Sequence, residues 1–352
     1  MKVLEKICLF LLVGVLGCFS SNHSNPEIKI LNKGSYQAAN KGEKMKGISF
    51  ESPARSFPIE DFNAIDSINA NWIALIPFGF TYPTGSKVHY NSPRQWWGER
   101  PEGIRTLIQY AHEKKLKVML KPQVWIPGGW VGAYELKKEE KIAEWKETYR
   151  DFILTFAEIA AEFEIALFCV GTEYKLMAVQ HPDCWRALIA EVRTIYKGKI
   201  TYASNWDHYQ AIPFWEELDY IGVNGYFPLV EQPTPTPKEI AKAWQPIIKQ
   251  LGDFSKEQNK PILFTEMGYM SCDYAAWRTW ENESQSPAVN SIAQANAYEG
   301  LFNSIWKEDW FAGIFLWEWH HNHKNAGGNK DKHYTPQNKP AQQIIKQGFS
   351  RN

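Results

Sequence analysis

The sequence predicts one fold class, a single-domain α/β TIM barrel of the (β/α)8 kind, on three observations. Eight short apolar runs alternate with helical patterns from residue 46 to the end. The runs are continuous rather than strictly alternating, as in parallel strands buried on both faces. No GxGxxG turn and no P-loop occurs, which removes the doubly wound nucleotide-binding sheet as the rival architecture.

The eight runs are Gly47–Phe50, Trp72–Phe78, Lys117–Ile126, Ala166–Glu173, Ile200–Asn205, Tyr220–Tyr226, Pro261–Gly268 and Gly313–Trp319. A helix is expected after the second run, where Ile104, Leu107, Ile108 and Ala111 recur at helical spacing behind Pro101. After the third, Ile142, Trp145, Tyr149, Phe152, Phe156, Ile159 and Phe163 form one long stripe. After the fourth, Trp185, Leu188, Ile189, Val192 and Ile195 repeat the pattern, and Gly198 is expected to end it. After the sixth, Thr236-Pro237-Lys238-Glu239 reads as a capping box with Pro at the first helical position. Ile292, Leu301, Phe302 and Ile305 mark a helix after the seventh. The Pro-rich stretch 232–237 reads as a stiff βα loop rather than a domain linker.

Composition narrows function. In 352 residues, 44% are apolar and 22% charged, which excludes a mainly disordered, coiled-coil or collagen-like chain. Lys+Arg and Asp+Glu are 39 each, so the basic surplus a nucleic-acid binder needs is missing. The chain is rich in aromatics, with 16 Trp, 16 Tyr and 19 Phe; so much Trp exceeds what core packing requires and points to flat apolar platforms.

The start of the chain carries its own signal. A weakly positive lead precedes an apolar run from Ile7 to Gly17, too short to span a bilayer and suited to a secretory signal. Val15-Leu16-Gly17-Cys18 resembles a bacterial lipobox, which implies a lipid on Cys18. Residues 1–17 are therefore expected to be a signal peptide, 18–45 the lipidated N-terminus and a polar tether, and 46–352 the barrel. The expected protein is a monomeric cell-envelope lipoprotein that meets the membrane only through its anchor. Cys169 reads as a small core residue, and Cys184 and Cys272 are candidates for a disulfide. No CxxC and no Cys/His zinc spacing occurs, and the His320-His321-Asn322-His323 cluster reads as solvated; no metal and no cofactor is expected.

Active sites in this fold lie at the C-terminal strand ends. Two runs end in a carboxylate: Gly171-Thr172-Glu173 in the fourth and Thr265-Glu266 in the seventh. By alternation, Glu173 shares a face with Cys169 and Leu167, and Glu266 with Phe264 and Ile262. A carboxylate closing a buried strand is costly unless paired, solvated or used. Two such groups with two strands between them face each other across the mouth, the layout of glycoside hydrolysis.

These two motifs resemble the acid/base and nucleophile positions of clan A retaining glycosidases. Further segments narrow the likeness: Met119-Leu120-Lys121-Pro122, Tyr202-Ala203-Ser204-Asn205-Trp206, the stretch 219–229, and Thr265-Glu266-Met267-Gly268-Tyr269. Together they resemble glycoside hydrolase family 113 over about residues 46–345. The resemblance implies a retaining endo-β-1,4-mannanase acting on polysaccharide or oligosaccharide without a cofactor, with Glu173 as acid/base and Glu266 as nucleophile. Two positions depart from the pattern: Thr172 stands where many clan A enzymes carry Asn, and Gln123 where a His is expected. Another clan A β-glycosidase and a non-catalytic carbohydrate-binding lipoprotein remain as alternatives.

Five further residues are expected to bind substrate. Lys121 ends the core of the third strand, either donating to sugar hydroxyls or pairing with a site carboxylate. Asn205 and Trp206 close the fifth strand; Asn205 suits a hydroxyl pair or caps its own loop. The clan A resemblance makes Tyr226 a donor to the nucleophile and Trp317 the floor under the reacting sugar. Glu318, next to Trp317, is read as pointing away and structural. Trp96, Trp97, Trp125 and Trp130 lie in βα loops and extend the groove.

Overall fold

In the computed structural model, residues 43–281 and 287–351 are described. The expected signal, Cys18 and most of the tether lie outside the described residues. Among the described residues the strands are β1 (Met45–Phe50), β2 (Trp72–Leu75), β3 (Phe78–Phe80), β4 (Lys117–Leu120), β5 (Gln123–Trp125), β6 (Leu167–Thr172), β7 (Lys199–Asn205), β8 (Tyr220–Asn224), β9 (Ile262–Met267) and β10 (Phe311–Trp319). Eight of them close a parallel barrel in the order β1, β10, β9, β8, β7, β6, β4, β2.

The second and third apolar runs each contain two strands rather than one. Pro77 and Pro122 lack the N–H that a barrel ladder needs, so β2 and β4 stop just short of them. Lys121 N still donates to Leu75 O at 2.9 Å and Gln123 N to Pro77 O at 2.9 Å. The chain then resumes as β3 and β5, a separate parallel pair in which Phe78 faces Gln123 and Phe80 faces Trp125. This extension carries Phe78, Gln123 and Trp125 to the barrel mouth.

Apolar side chains fill two layers. Trp72, Ala74, Met119, Leu167, Leu263 and Phe315 pack inside the barrel. Their strand neighbours Ile73, Val118, Phe168, Ile262 and Phe264 pack outward against the helices. The helices are α1 (Pro101–Glu113), α2 (Glu139–Glu162), α3 (Lys175–Gln180), α4 (Pro182–Ile195), α5 (Pro237–Gln258), α6 (Ser291–Phe302) and α7 (Pro340–Phe349). The Thr236 box forms as expected: Thr236 Oγ1 accepts from Glu239 N at 3.3 Å, and Glu239 Oε2 accepts from Thr236 N at 2.8 Å.

Three details differ from the sequence reading. The crossovers after β1 and β7 carry 3-10 turns instead of α-helices. Helix α4 stops at Ile195 with Tyr196 already extended, so Gly198 is no helix cap. It is needed because a Cβ there would lie 2.1 Å from the Tyr196 hydroxyl. Ile292 is 54% exposed, because α6 turns its small residues inward; a Cβ on Gly300 would meet Ile240 at 2.4 Å.

Candidate active site

Glu173 reaches the mouth through two irregularities of β6. Leu167 faces the barrel interior, and Phe168 and Val170 face outward. Gly171 faces outward as well, since a Cβ there would lie 2.6 Å from Trp185 and 2.7 Å from Tyr149 Oη. The register against β7 slips between Cys169 and Thr172, the mark of a bulge. Tyr149 Oη and Cys169 Sγ donate to the carbonyls of Val170 and Gly171, at 2.9 and 3.2 Å, which steadies the distorted stretch. Glu173 itself sits in the left-handed region at φ 56°, a conformation a non-glycine residue adopts only under constraint.

Glu266 corrects the sequence reading. Alternation places it with Ile262 and Phe264, yet those two pack in the outer layer, Phe264 at 6.0 Å from Trp244 of α5. The register against β8 slips between Phe264 and Glu266, and against β10 between Phe264 and Met267. This bulge re-aims Glu266 into the mouth, while Thr265 stays buried and donates to Asn224 Oδ1 at 3.0 Å.

The two carboxylates line one small cavity of about 160 Å³ with Thr172, Gln123, Asn224 and Trp130. Their partners differ in kind. Glu266 Oε2 accepts from Lys121 Nζ at 2.5 Å and from Gln123 Nε2 at 3.3 Å, and its Oε1 accepts from Tyr226 Oη at 2.7 Å. Glu173 has two neutral donors, Asn224 Nδ2 at 3.0 Å on Oε1 and Trp130 Nε1 at 2.7 Å on Oε2. Burial and then the charge of Glu266 push the Glu173 carboxyl up; Trp130, Asn224 and Lys121 oppose without cancelling them. Burial and Glu266 likewise push the Tyr226 phenol well above its usual range, so it stays a donor.

The other expected residues fall into distinct places. Lys121 is fully buried beneath Glu266, which selects the ion pair over direct sugar contact. Tyr226 meets Glu266. Asn205 is the loop cap of the two readings, its Oδ1 accepting from Trp206 N at 3.0 Å. The residue that touches Glu173 is Asn224, its register partner on β8, which the sequence reading did not single out. Trp206 stacks on Trp280 at 5.6 Å and 27°, forming a half-exposed aromatic pair. Trp317 lines a groove of about 670 Å³ together with Trp96 and Trp125. Glu318 lines it too, contrary to the expectation that it points away. Trp319 is buried, and Trp97 packs edge-on against Phe57. Trp130 does more than extend the groove, because it bonds Glu173.

The histidine cluster is engaged rather than solvated: His320 meets Glu51, His321 packs on Phe57, and His323 stacks on Trp319. No group of ligating side chains suited to a metal occurs among the described residues. Cys169, Cys184 and Cys272 are in no disulfide among the described residues, so the Cys184–Cys272 pairing does not form.

Similarity to known proteins agrees with this geometry. No curated protein sequence matches the chain. Among solved structures, the GH113 β-mannanase AaManA from Alicyclobacillus acidocaldarius, in complex with ManMIm, is 27% identical. The match covers 88% of this chain and 98% of that one, with a TM-score of 0.78. A second GH113 β-1,4-mannanase is 25% identical over 88% of this chain and all of that one, with a TM-score of 0.77. A β-glucuronidase from Faecalibacterium prausnitzii shares the fold alone, at 16% identity over 88% of this chain and 49% of that one and a TM-score of 0.59. The profile of Glycoside Hydrolase Family 113 matches residues 53–339, and the chain belongs to that family of glycoside hydrolases.

Proposed function

We propose that the protein is a retaining glycosidase that cleaves β-1,4-linked mannan-type chains, with Glu266 as nucleophile and Glu173 as acid/base. One observation carries the role assignment: the two carboxylates share a cavity but have opposite surroundings. A nucleophile must stay ionised, and Glu266 has a buried ammonium and a phenol donating to it. An acid must hold a proton near neutral pH, and burial beside a second negative charge favours the protonated Glu173.

The chemistry follows from those states. A Glu266 oxygen forms a bond to the anomeric carbon as the bond to the leaving oxygen breaks. Glu173 delivers its proton to that oxygen, leaving a glycosyl ester on Glu266. Glu173, now a carboxylate, takes a proton from water, whose oxygen displaces the ester with a second inversion. The mannan preference is supported by the family and by the two mannanases among its structural relatives. Incubation with β-1,4-mannan, followed by proton NMR, tests the reading. The β-anomer should appear first; the α-anomer first would overturn retention, and cleavage of another β-linked glycan instead would overturn the sugar.

The lipid anchor is a separate proposal supported by the sequence around Cys18. No helix among the described residues is long and apolar enough to cross a membrane. Replacing Cys18 with Ser should release soluble, active enzyme; a variant that stays in the membrane fraction would overturn the anchor.

A further inference from the structure

The groove of about 670 Å³ adjoins the carboxylate cavity, and the two share Phe78 and Trp125 as walls. Its indoles, Trp96, Trp125 and Trp317, offer flat apolar faces, and Trp96 and Trp125 are 48% and 58% exposed. Its charged groups are unbalanced. Glu51, just after β1, and Glu318, near the end of β10, lie at its inner side, and Glu99 lines it as well. Among the described residues that line it the cation is Arg94, which is exposed. The buried ammonium of Lys121 is already engaged by Glu266.

His320 ties the inner pair together: its Nδ1 meets Glu51 Oε2, and its Nε2 lies 3.6 Å from Glu318 Oε1. Burial works against the charged imidazole, but the bond to Glu51, its charge and that of Glu318 hold His320 above its ordinary value. Above about pH 7, where Glu318 is ionised, the array carries two carboxylates against at most that one imidazolium.

The position of the array says which sugar it meets. In the barrel β10 and β1 follow β9, the strand of Glu266, while β6 with Glu173 lies on the other side of β8 and β7. Glu318 is close enough to Glu266 to feel its charge. In a retaining enzyme the sugar on the nucleophile's side is the one that becomes covalently held.

We propose that this groove takes the uncharged sugar units on the Glu266 side of the scissile bond, and that Glu51 and Glu318 set its specificity by accepting sugar hydroxyls and excluding sugars that carry a carboxylate. The proposal rests on the glycosidase reading above and names a specificity it does not contain. An ionised carboxylate only accepts hydrogen bonds, so it pairs with hydroxyl donors and has nothing to share with the ionised carboxylate of a uronate. Like charges in a partly desolvated groove also repel, which makes rejection an active property of the site.

The test compares β-1,4-mannohexaose with the same hexamer oxidised at C6, so that linkage and ring stereochemistry stay fixed. It is run at about pH 8, above the value of about 7 to which burial pushes the Glu318 carboxyl. Wild type should prefer the neutral hexamer in kcat/KM by about 100-fold or more, and the Glu51→Gln/Glu318→Gln double variant should cut that ratio by about tenfold or more. An unchanged ratio in a variant with unchanged thermal unfolding overturns the proposal. If the double variant does not fold, single Glu51→Gln gives the same readout with a smaller fall, because its side chain is 35% exposed. If wild type leaves mannohexaose intact, the mannan reading fails separately, and cellohexaose with its C6-oxidised form measures the same ratio. Failure to bind or cleave either neutral hexamer overturns both readings.

Discussion

The ends of β6 and β9 do the same mechanical job by related means and then diverge in electrostatics. Each strand is buried on both faces, so strict alternation alone does not decide which side its terminal carboxylate takes. In β9 a bulge reverses the face of Glu266; in β6 a bulge plus a left-handed residue brings Glu173 round. The difference lies in the partners. Glu266 rests on a charged donor just after β4, Lys121, whereas Glu173 has only an amide and an indole. One strand end therefore sets its carboxylate against a buried cation, and the other leaves its carboxyl with neutral donors only.

Exchanging those roles chemically breaks the comparison. Glu266→Gln removes the attacking oxygen, so turnover of every substrate should fall by about 10⁴-fold or more. Residual activity within tenfold of wild type would mean that Glu266 is not the nucleophile. Glu173→Ala should cost about 10²- to 10⁴-fold on polysaccharide, where the leaving oxygen needs a proton. On an activated aryl glycoside it should release a burst of phenol and then stall at the glycosyl ester. Azide should restart it and yield a β-glycosyl azide; with Glu266→Ala, azide should give the α-azide. The reverse pair of products would exchange the two assignments.

The barrel and both carboxylates were legible because they depend on composition along the chain. Continuous apolar runs show up in one sequence, and so does a Glu at the end of each. What stayed hidden depends on register. Both bulges are two-strand events, so nothing within 262–266 by itself announces that Glu266 turns away from Phe264. Asn224 was passed over for Asn205 although the two are register partners, because only the strand's orientation separates an inward amide from one that caps its own turn. Pro77 and Pro122 did offer a readable signal: each interrupts an apolar run and should have split it into two strands. Alternation turns the neighbour of an inward Trp outward, a rule that weakens where a strand runs out into the mouth, and there Glu318 lines the groove beside Trp317.

Trp130 sharpens the electrostatic side of the comparison. Its indole N–H donates to Glu173 and so favours the ionised acid, against burial and Glu266, which favour the protonated one. Trp130→Phe keeps a ring in place and removes the donor. The carboxyl of Glu173 should then titrate higher. On the proposed roles the protonated form is the active one, so activity is lost as pH rises through that value. The alkaline limb of kcat/KM, which reports the free enzyme's acid, should therefore move to higher pH, while the acid limb stays. A limb that stays in place or moves down would show that Trp130 does not tune Glu173.

The smallest effect separates the two asparagines. Asn205 Oδ1 holds the N–H of Trp206 and thereby the turn after β7, a local bond that replacement by Ala should cost about 1 kcal/mol in stability. Trp206 and its partner Trp280 pack by ring contact, so they should keep their place, and kcat/KM should fall by no more than about threefold. Asn224→Ala removes a donor to Glu173 and leaves the buried Thr265 hydroxyl without its acceptor, so both activity and stability should suffer more. Thermal unfolding and kcat/KM measured on the two Ala variants together decide the matter. A loss above about tenfold in Asn205→Ala with unchanged unfolding would make Asn205 the sugar-binding residue after all, reaching substrate with the amide nitrogen its turn leaves free.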